Sequence, residues 1–355
     1  MKALYFGTYD RASPRNTQVV SCLRRAGVTV VERHREVWGR HNWSLGPSQL
    51  ARVVRAEGAL ARSREDDADV IVVGYPGHFD MPAAKRVARG RPLVFNPLVS
   101  LHDTLVGDRA RFRRASPASA VLRAVDNGAF RSADLVVADT EAHAVFFRDV
   151  FRLPAERVAV AFVGADEPLF RPGWHPPQPF HVLFVGKLIP LHGLETILAA
   201  ARLVPDVPFR VVGDGQLAGL LESRSPNVDH VQWIPYEDLP EAYRGAGCAL
   251  GIFGTSAKAA RVIPNKVFQA LACARPVITA DTEAARELLT DGDDAILVPP
   301  GDPPALADAV RRLAEDDALG VRVAEAGHAT YEERASEEVL GERWRSLLER
   351  AVRRG

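Results

Sequence analysis

The chain has 355 residues, 47% hydrophobic and 25% charged, with Lys+Arg 45 balanced by Asp+Glu 45. Those proportions are those of a soluble globular protein, and the length suits two domains with a core each. No apolar run approaches the ~18 residues that a membrane span needs, and MKALYFGTYD reads as a strand and loop, not a secretion signal.

Cys22, Cys248 and Cys273 sit in apolar stretches without metal-ligand spacing, so they read as buried thiols in a reducing cytoplasm. The zero net charge hides an asymmetry. Residues 1–172 carry 26 Lys+Arg against 19 Asp+Glu, and the remainder reverses those numbers. A basic first half suits an anionic acceptor or an anionic membrane surface, unless it reflects only a general abundance of Arg. Lys occurs at five positions (2, 85, 187, 258, 266), three of them in the second half. A compact ammonium there marks places where a planar guanidinium does not fit.

In chain order, strands are expected at 3–6, 29–32, 70–73, 93–95, 135–138 and 158–162. Helices are expected at 17–26, 47–64, 82–88, 118–132 and 141–151. Such alternation implies a parallel sheet with helices on both faces. Ligands of such sheets sit beyond the carboxyl ends of the strands, which singles out loops 7–16, 74–79 and 96–108. Trp38–Pro47, with two aromatics and a turn, reads either as an acceptor loop or as packing for the next helix. Phe112 amid Arg109, Arg111, Arg113 and Arg114 reads as a basic loop able to touch a membrane or an anionic acceptor, a solvated loop being the commoner outcome.

Pro-rich 168–179 reads as a semi-rigid linker. A second alternating set follows, with strands at 182–185, 209–212, 230–234, 248–252, 276–279 and 295–298. The domains are therefore expected at 1–167 and 180–334, as two Rossmann-like halves with a crevice between them. Residues 335–354 form an amphipathic helix closing the chain. Gly213, Gly215 and Ala218 make a G-x-G-x-x-A after a strand, but mid-chain and without a terminal acid on the next strand. A structural turn fits better than a dinucleotide site.

Val262 to Pro276, VIPNKVFQALACARP, carries the strongest signal. Pro264 fits the first position of a helix. Asn265 to Cys273 follows with Val267, Phe268, Leu271 and Ala272 on a buried side. Lys258, Arg261 and Lys266 surround the helix N-terminus, where free N–H groups and the helix dipole favour an anion.

The segment resembles the nucleotide-sugar-binding motif of the retaining GT-B glycosyltransferases, family 4 especially, E-x7-E followed by A-x-G-x-P-V-I. Phe180 to Val204, Phe209 to Gly215 and Val228 to Phe253 look like the family's preceding strands and helices. The two family glutamates fall at Arg261 and Gln269, Pro264 and Ala274 stand at glycine positions, and His192 replaces a common Lys. A left-handed Ala274 would cost ~1–2 kcal/mol, so a different turn is expected there.

The resemblance implies a GT-B fold whose last helix crosses back to the N-terminal domain. It implies transfer of a sugar from a nucleoside diphosphate sugar with retention of configuration, and needs neither cofactor nor metal. Lys187, Lys266 and His102 are the implied catalytic groups. Gly186, His192, Gly213, Ile234, Arg261, Asn265, Val267 and Gln269 are the implied donor residues. Gly7, Arg15 and Asn16 fall in the family's acceptor or phosphate loop. The acceptor is expected to be lipid-linked, a saccharide or a small molecule, with peripheral contact at the inner membrane face as an option and no nucleic acid. The rival readings are a non-catalytic relative that binds a nucleotide sugar or partners a transferase, and a sugar-nucleotide epimerase of the same fold.

Overall fold

A computed structural model describes residues 1–11, 13–37, 47–63, 67–173 and 179–354. The acceptor loop expected at Trp38–Pro47 and the middle of the expected linker, 174–178, lie outside the described residues, apart from the helical start at Pro47. The chain divides into two compact units. Met1–Phe162 with Glu337–Gly355 forms the first, and Val163–Ser336 the second.

Unit 1 alternates β1 (Lys2–Gly7), α1 (Pro14–Arg25), β2 (Thr29–His34), α2 (Pro47–Ala61), β3 (Val70–Val73), α3 (Met81–Ala88) and β4 (Leu93–Phe95). It continues with α4 (Pro117–Ser132), β5 (Leu135–Ala138), α5 (Glu141–Phe151) and β6 (Val158–Val160). The six strands pair in parallel in the order β2-β1-β3-β4-β5-β6. Strands sandwiched between helix layers must be apolar on both faces, and VIVV of β3 and LVVA of β5 are buried throughout. Side-chain oxygens at Ser116 and Thr140 accept the N–H groups of Ser119 and His143, fixing where α4 and α5 begin.

Unit 2 contains β7 (Val182–Val185), α6 (Leu194–Leu203), β8 (Phe209–Val212), β9 (Val228–Val231), α7 (Leu239–Arg244) and β10 (Cys248–Leu250). Then come α8 (Asn265–Ala272), β11 (Val277–Ala280), α9 (Glu283–Arg286), β12 (Ile296–Val298), α10 (Pro303–Glu315) and α11 (Asp317–Arg334). Its parallel sheet runs β12-β11-β10-β7-β8-β9, the strand order of a Rossmann fold. The final helix, α12 (Glu337–Arg354), belongs to unit 1. Trp344 is 1% exposed, and a Cβ on Gly341 would meet the Cys22 carbonyl oxygen at 2.6 Å, so α12 and α1 approach at backbone distance.

Two local expectations change. Pro264 is the cap residue before α8 rather than its first helical residue, with an extended ψ of 152°. The turn after α8 does not avoid the left-handed region: Ala274 adopts φ 51°. The N–H of Arg275 reaches the Ala270 carbonyl at 3.0 Å, so the ordinary helix-ending turn is kept and its strain borne by an alanine.

Candidate functional site

In unit 2 the direction of strand order reverses between β7 and β10, and the crevice at such a reversal is where Rossmann sheets receive ligands. Four pieces of chain meet there: Gly186–Lys187 after β7, Gly213 after β8, the Phe253–Gly254 backbone after β10, and the first turn of α8. Their approach depends on missing side chains. A Cβ on Gly213 (φ 143°) would fall 2.0 Å from the Gly186 carbonyl oxygen. One on Gly254 would fall 2.4 Å from the Leu191 oxygen. Gly213 thus serves the backbone crossing of two loops, and the G-x-G-x-x-A is a structural turn.

Lys266 sits in the first turn of α8 and is 6% exposed. Its Nζ lies 3.8 Å from the centroid of the Phe184 ring and has no hydrogen-bond partner among the described residues. Phe184 on β7 and Gly186, just past the strand's end, both face Lys266. The absent side chain at Gly186 leaves the slot, since a Cβ there would stand 2.6 Å from Nζ. Burial holds the ammonium well below the usual lysine range. An unpaired buried ammonium at a helix N-terminus, over an aromatic face, has the chemistry to receive an anion.

Around it, Lys187 is exposed, and its carbonyl accepts the His192 Nδ1–H. His192 is 8% exposed and edge-on to Phe184. It stands directly before α6, which Gly193, at φ 68°, caps. Asn265 and Arg261 are half-buried, Ile234 is half-buried after β9, and Val267 is buried on the core side of α8. Gln269 is buried too, and its Oε1 accepts the Tyr243 hydroxyl at 3.2 Å. That acceptor, expected to face ribose, is already engaged.

In unit 1 the predicted residues are occupied by their own fold. Arg15, expected in the acceptor or phosphate loop, lies in the first turn of α1 and is fully buried. It donates to Asn96 Oδ1 at 2.9 Å and to the carbonyls of Ala161 and Phe162 at 3.1 and 3.0 Å, 5.5 Å above the Trp344 ring. The Asn16 amide accepts from Tyr5 and the Tyr75 N–H and donates to the carbonyls of Asp10 and Tyr75. It stitches the loop after β1 to the loop after β3. At Gly7, φ is 132°, and a Cβ would run into the Asp80 carboxylate, which accepts from Thr8 N–H and Oγ at 2.8 Å each. His102 Nε2 pairs with Ser119 Oγ at 3.0 Å, while burial and then Arg123 press its pKa down. Phe184, Tyr243 and Asp80 were not singled out from the sequence. Of these only Phe184 had a usable signal, its two-residue spacing from Gly186 at the end of a strand.

Residues 179–316 match the family described as Glycosyl transferases group 1. The phosphatidyl-myo-inositol mannosyltransferase of Mycobacterium leprae is 34% identical over 156 residues, covering 41% of this chain and 40% of that protein. The lipopolysaccharide core biosynthesis glycosyltransferase LpsD of Rhizobium meliloti is 27% identical over 180 residues, 50% of this chain and 51% of that one. The chain thus spans about half the length of these curated relatives. Among solved structures, sucrose-phosphate synthase from Thermosynechococcus elongatus aligns at TM-score 0.76 and 18% identity, covering 100% of this chain and 99% of that one. Anabaena HepE in complex with UDP-glucose aligns at TM-score 0.70 and 20% identity, covering 98% and 99%. The fold is GT-B. Among the described residues no helix is long and apolar enough to cross a membrane.

Proposed function

We propose that the chain is a retaining, metal-independent glycosyltransferase resembling family 4, which moves a sugar from a nucleoside diphosphate sugar to an acceptor hydroxyl. The observation that carries this reading is the buried, unpaired Lys266 at the unit 2 switch point, inside the region that matches the group 1 family. Its chemistry is that of a diphosphate subsite. As the glycosidic bond breaks, negative charge accumulates on the leaving phosphate. Cations fixed beforehand in a water-poor slot stabilise that charge without reorganising. Lys187 supplies the exposed cation, and Lys266 supplies one whose protonated form is disfavoured until an anion arrives.

On this reading the leaving phosphate helps take the proton of the acceptor hydroxyl on the same face of the sugar. The two lysines and the N–H groups of α8 do the electrostatic work for which other transferases use a divalent ion. The solved HepE complex with UDP-glucose makes a uridine donor the first to try. An anionic or lipid-linked acceptor suits the basic first half and the names of the mannosyltransferase and lipopolysaccharide relatives.

Incubation with radiolabelled UDP-, GDP-, TDP- and ADP-sugars, with and without a lipid and saccharide acceptor panel and EDTA, tests the proposal. EDTA-insensitive transfer of label with an axial linkage supports it. Binding without turnover would favour a non-catalytic relative. Release of nucleotide with an epimerised sugar and no acceptor labelling would favour an epimerase.

A further inference from the structure

Unit 1 holds a cavity of about 770 Å³ at the amino-terminal edge of its sheet, the end opposite the loops after β1 and β3. Its floor is the residues that lead into β4, β5 and β6: Arg91 and Pro92, Asp134, and Glu156 with Arg157. Its wall is the last turn of α12. Six cations line it, Lys85, Arg91, Arg131, Arg157, Arg350 and Arg354, against the two carboxylates Asp134 and Glu156.

Several of these charges have structural duties. Arg91 donates three times to carbonyls at the end of α3 and before β3. Arg157 ties down the carbonyls of Arg131 and Ala133, and Arg354 the carbonyl of Glu156. The Asp134 carboxylate accepts the Leu93 N–H at 2.8 Å. Carbonyls carry no formal charge, so these bonds hold the guanidinium groups in place without neutralising them.

Arg350 is different. Its Nε and Nη2 are hidden from water and have no hydrogen-bond partner among the described residues. Burial, then Arg354 and Arg343, press its pKa down, as expected where cations face one another with no anion between. Nε and Nη2 form one edge of the guanidinium fork, the edge that grips two oxygens of a phosphate at once. Leaving both donors unmade costs stability, and an anion would return it.

We propose that this cavity is a binding site for a phosphate-bearing ligand, toward which the Arg350 side chain turns to present its Nε–Nη2 edge, with Lys85, Arg131 and Arg354 at the rim. The volume is that of a small-molecule site, larger than a lone ion requires. The phosphate arrives either on a soluble molecule or on a lipid headgroup. The site is separate from the donor subsite of unit 2 and does not depend on it.

The test uses the full chain and two probes, inorganic pyrophosphate by calorimetry and phosphatidylcholine vesicles containing phosphatidylglycerol by cosedimentation. Lys187→Ala removes pyrophosphate binding at the donor subsite from the comparison. In that background, Arg350→Met is expected to weaken pyrophosphate or vesicle binding at least tenfold, and Arg354→Ala several-fold. A loss confined to pyrophosphate identifies a soluble ligand, and one confined to vesicles a headgroup. Melting supplies a readout that loss of fold would not mimic. Without anion Arg350→Met should melt higher than its parent, and the stabilisation by pyrophosphate or vesicles should disappear. Unchanged binding of both probes in Arg350→Met and Arg354→Ala, with all pyrophosphate binding following Lys187, would overturn the proposal. So would a lower melting point for Arg350→Met with the anion shift intact.

Discussion

Lys266→Met separates the cost of the slot from its use. The substitution keeps an unbranched side chain, one atom shorter, with a favourable contact to the Phe184 ring, and removes the ammonium. In the unliganded chain the ammonium lacks a hydrogen-bond partner, and its one compensation is the aromatic face at 3.8 Å. An unmet buried donor costs about 1–3 kcal/mol, more when charged. A desolvated cation–π contact returns up to about 2 kcal/mol. The methionine variant should therefore be more stable by about 1–3 kcal/mol at pH 7, which for a unit of this size raises its melting temperature by about 2–12 °C.

The gain has a definite pH dependence. Burial depresses the folded pKa of Lys266 below its unfolded value of about 10.4, so the unfolded chain binds more protons in the window between the two. Stability of the parent rises with pH through that window. The advantage of methionine is full below the folded pKa and fades as pH approaches about 10.4. UDP affinity should move the other way, falling about 10- to 150-fold for a charge-assisted contact of about 1.5–3 kcal/mol. Melting curves at pH 7 and pH 10, with UDP calorimetry on both proteins, read all three effects. A variant that melts lower than the parent and binds UDP equally well would refute the reasoning.

Gly213→Ala should destabilise unit 2 by about 3 kcal/mol or more, since the new methyl meets a backbone oxygen that cannot turn aside; urea unfolding checks this, and a loss under 1 kcal/mol would mean the loops separate easily. Arg152 is exposed and left-handed at φ 52° after α5, so Arg152→Gly should stabilise by about 0.5–1 kcal/mol, read as a higher urea midpoint at unchanged slope. Trp344→Ala should cost about 3–5 kcal/mol and expose apolar surface on unit 1, seen by dye binding, because Trp344 anchors α12 and lies under Arg15. Gln269→Glu should tighten UDP binding by offering the ribose diol a second acceptor oxygen while Tyr243 keeps the first, a change that calorimetry measures directly.

The fold was legible because its signals are redundant. Runs such as VIVV and LVVA, spaced by helical patterns, fix a parallel sheet before any pairing is known, and most expected strands in both units agree with the observed ones to within two residues. Ends were less legible where backbone geometry overrode residue preference: Ala274 accepts a left-handed turn that a glycine would take without strain. Within the site, Lys266 and Gly186 could be marked from residue type and position. What the sequence did not reveal was which polar side chains are spent inside the fold. Arg15 and Asn16 sit in the first turn of α1, in the stretch where a ligand loop was expected, and their partners lie up to 147 residues away. Local pattern carries no record of such contacts. The same holds for Gln269, whose partner Tyr243 arrives from α7.

The most direct test of the account is a crystal structure of the full chain with UDP. The diphosphate is expected at the N-terminus of α8, against Gly186, with Lys266 Nζ and Lys187 in hydrogen-bonding contact with its oxygens and Gln269 turned toward the ribose. UDP bound elsewhere, or a diphosphate that leaves Lys266 unpaired over Phe184, would contradict it.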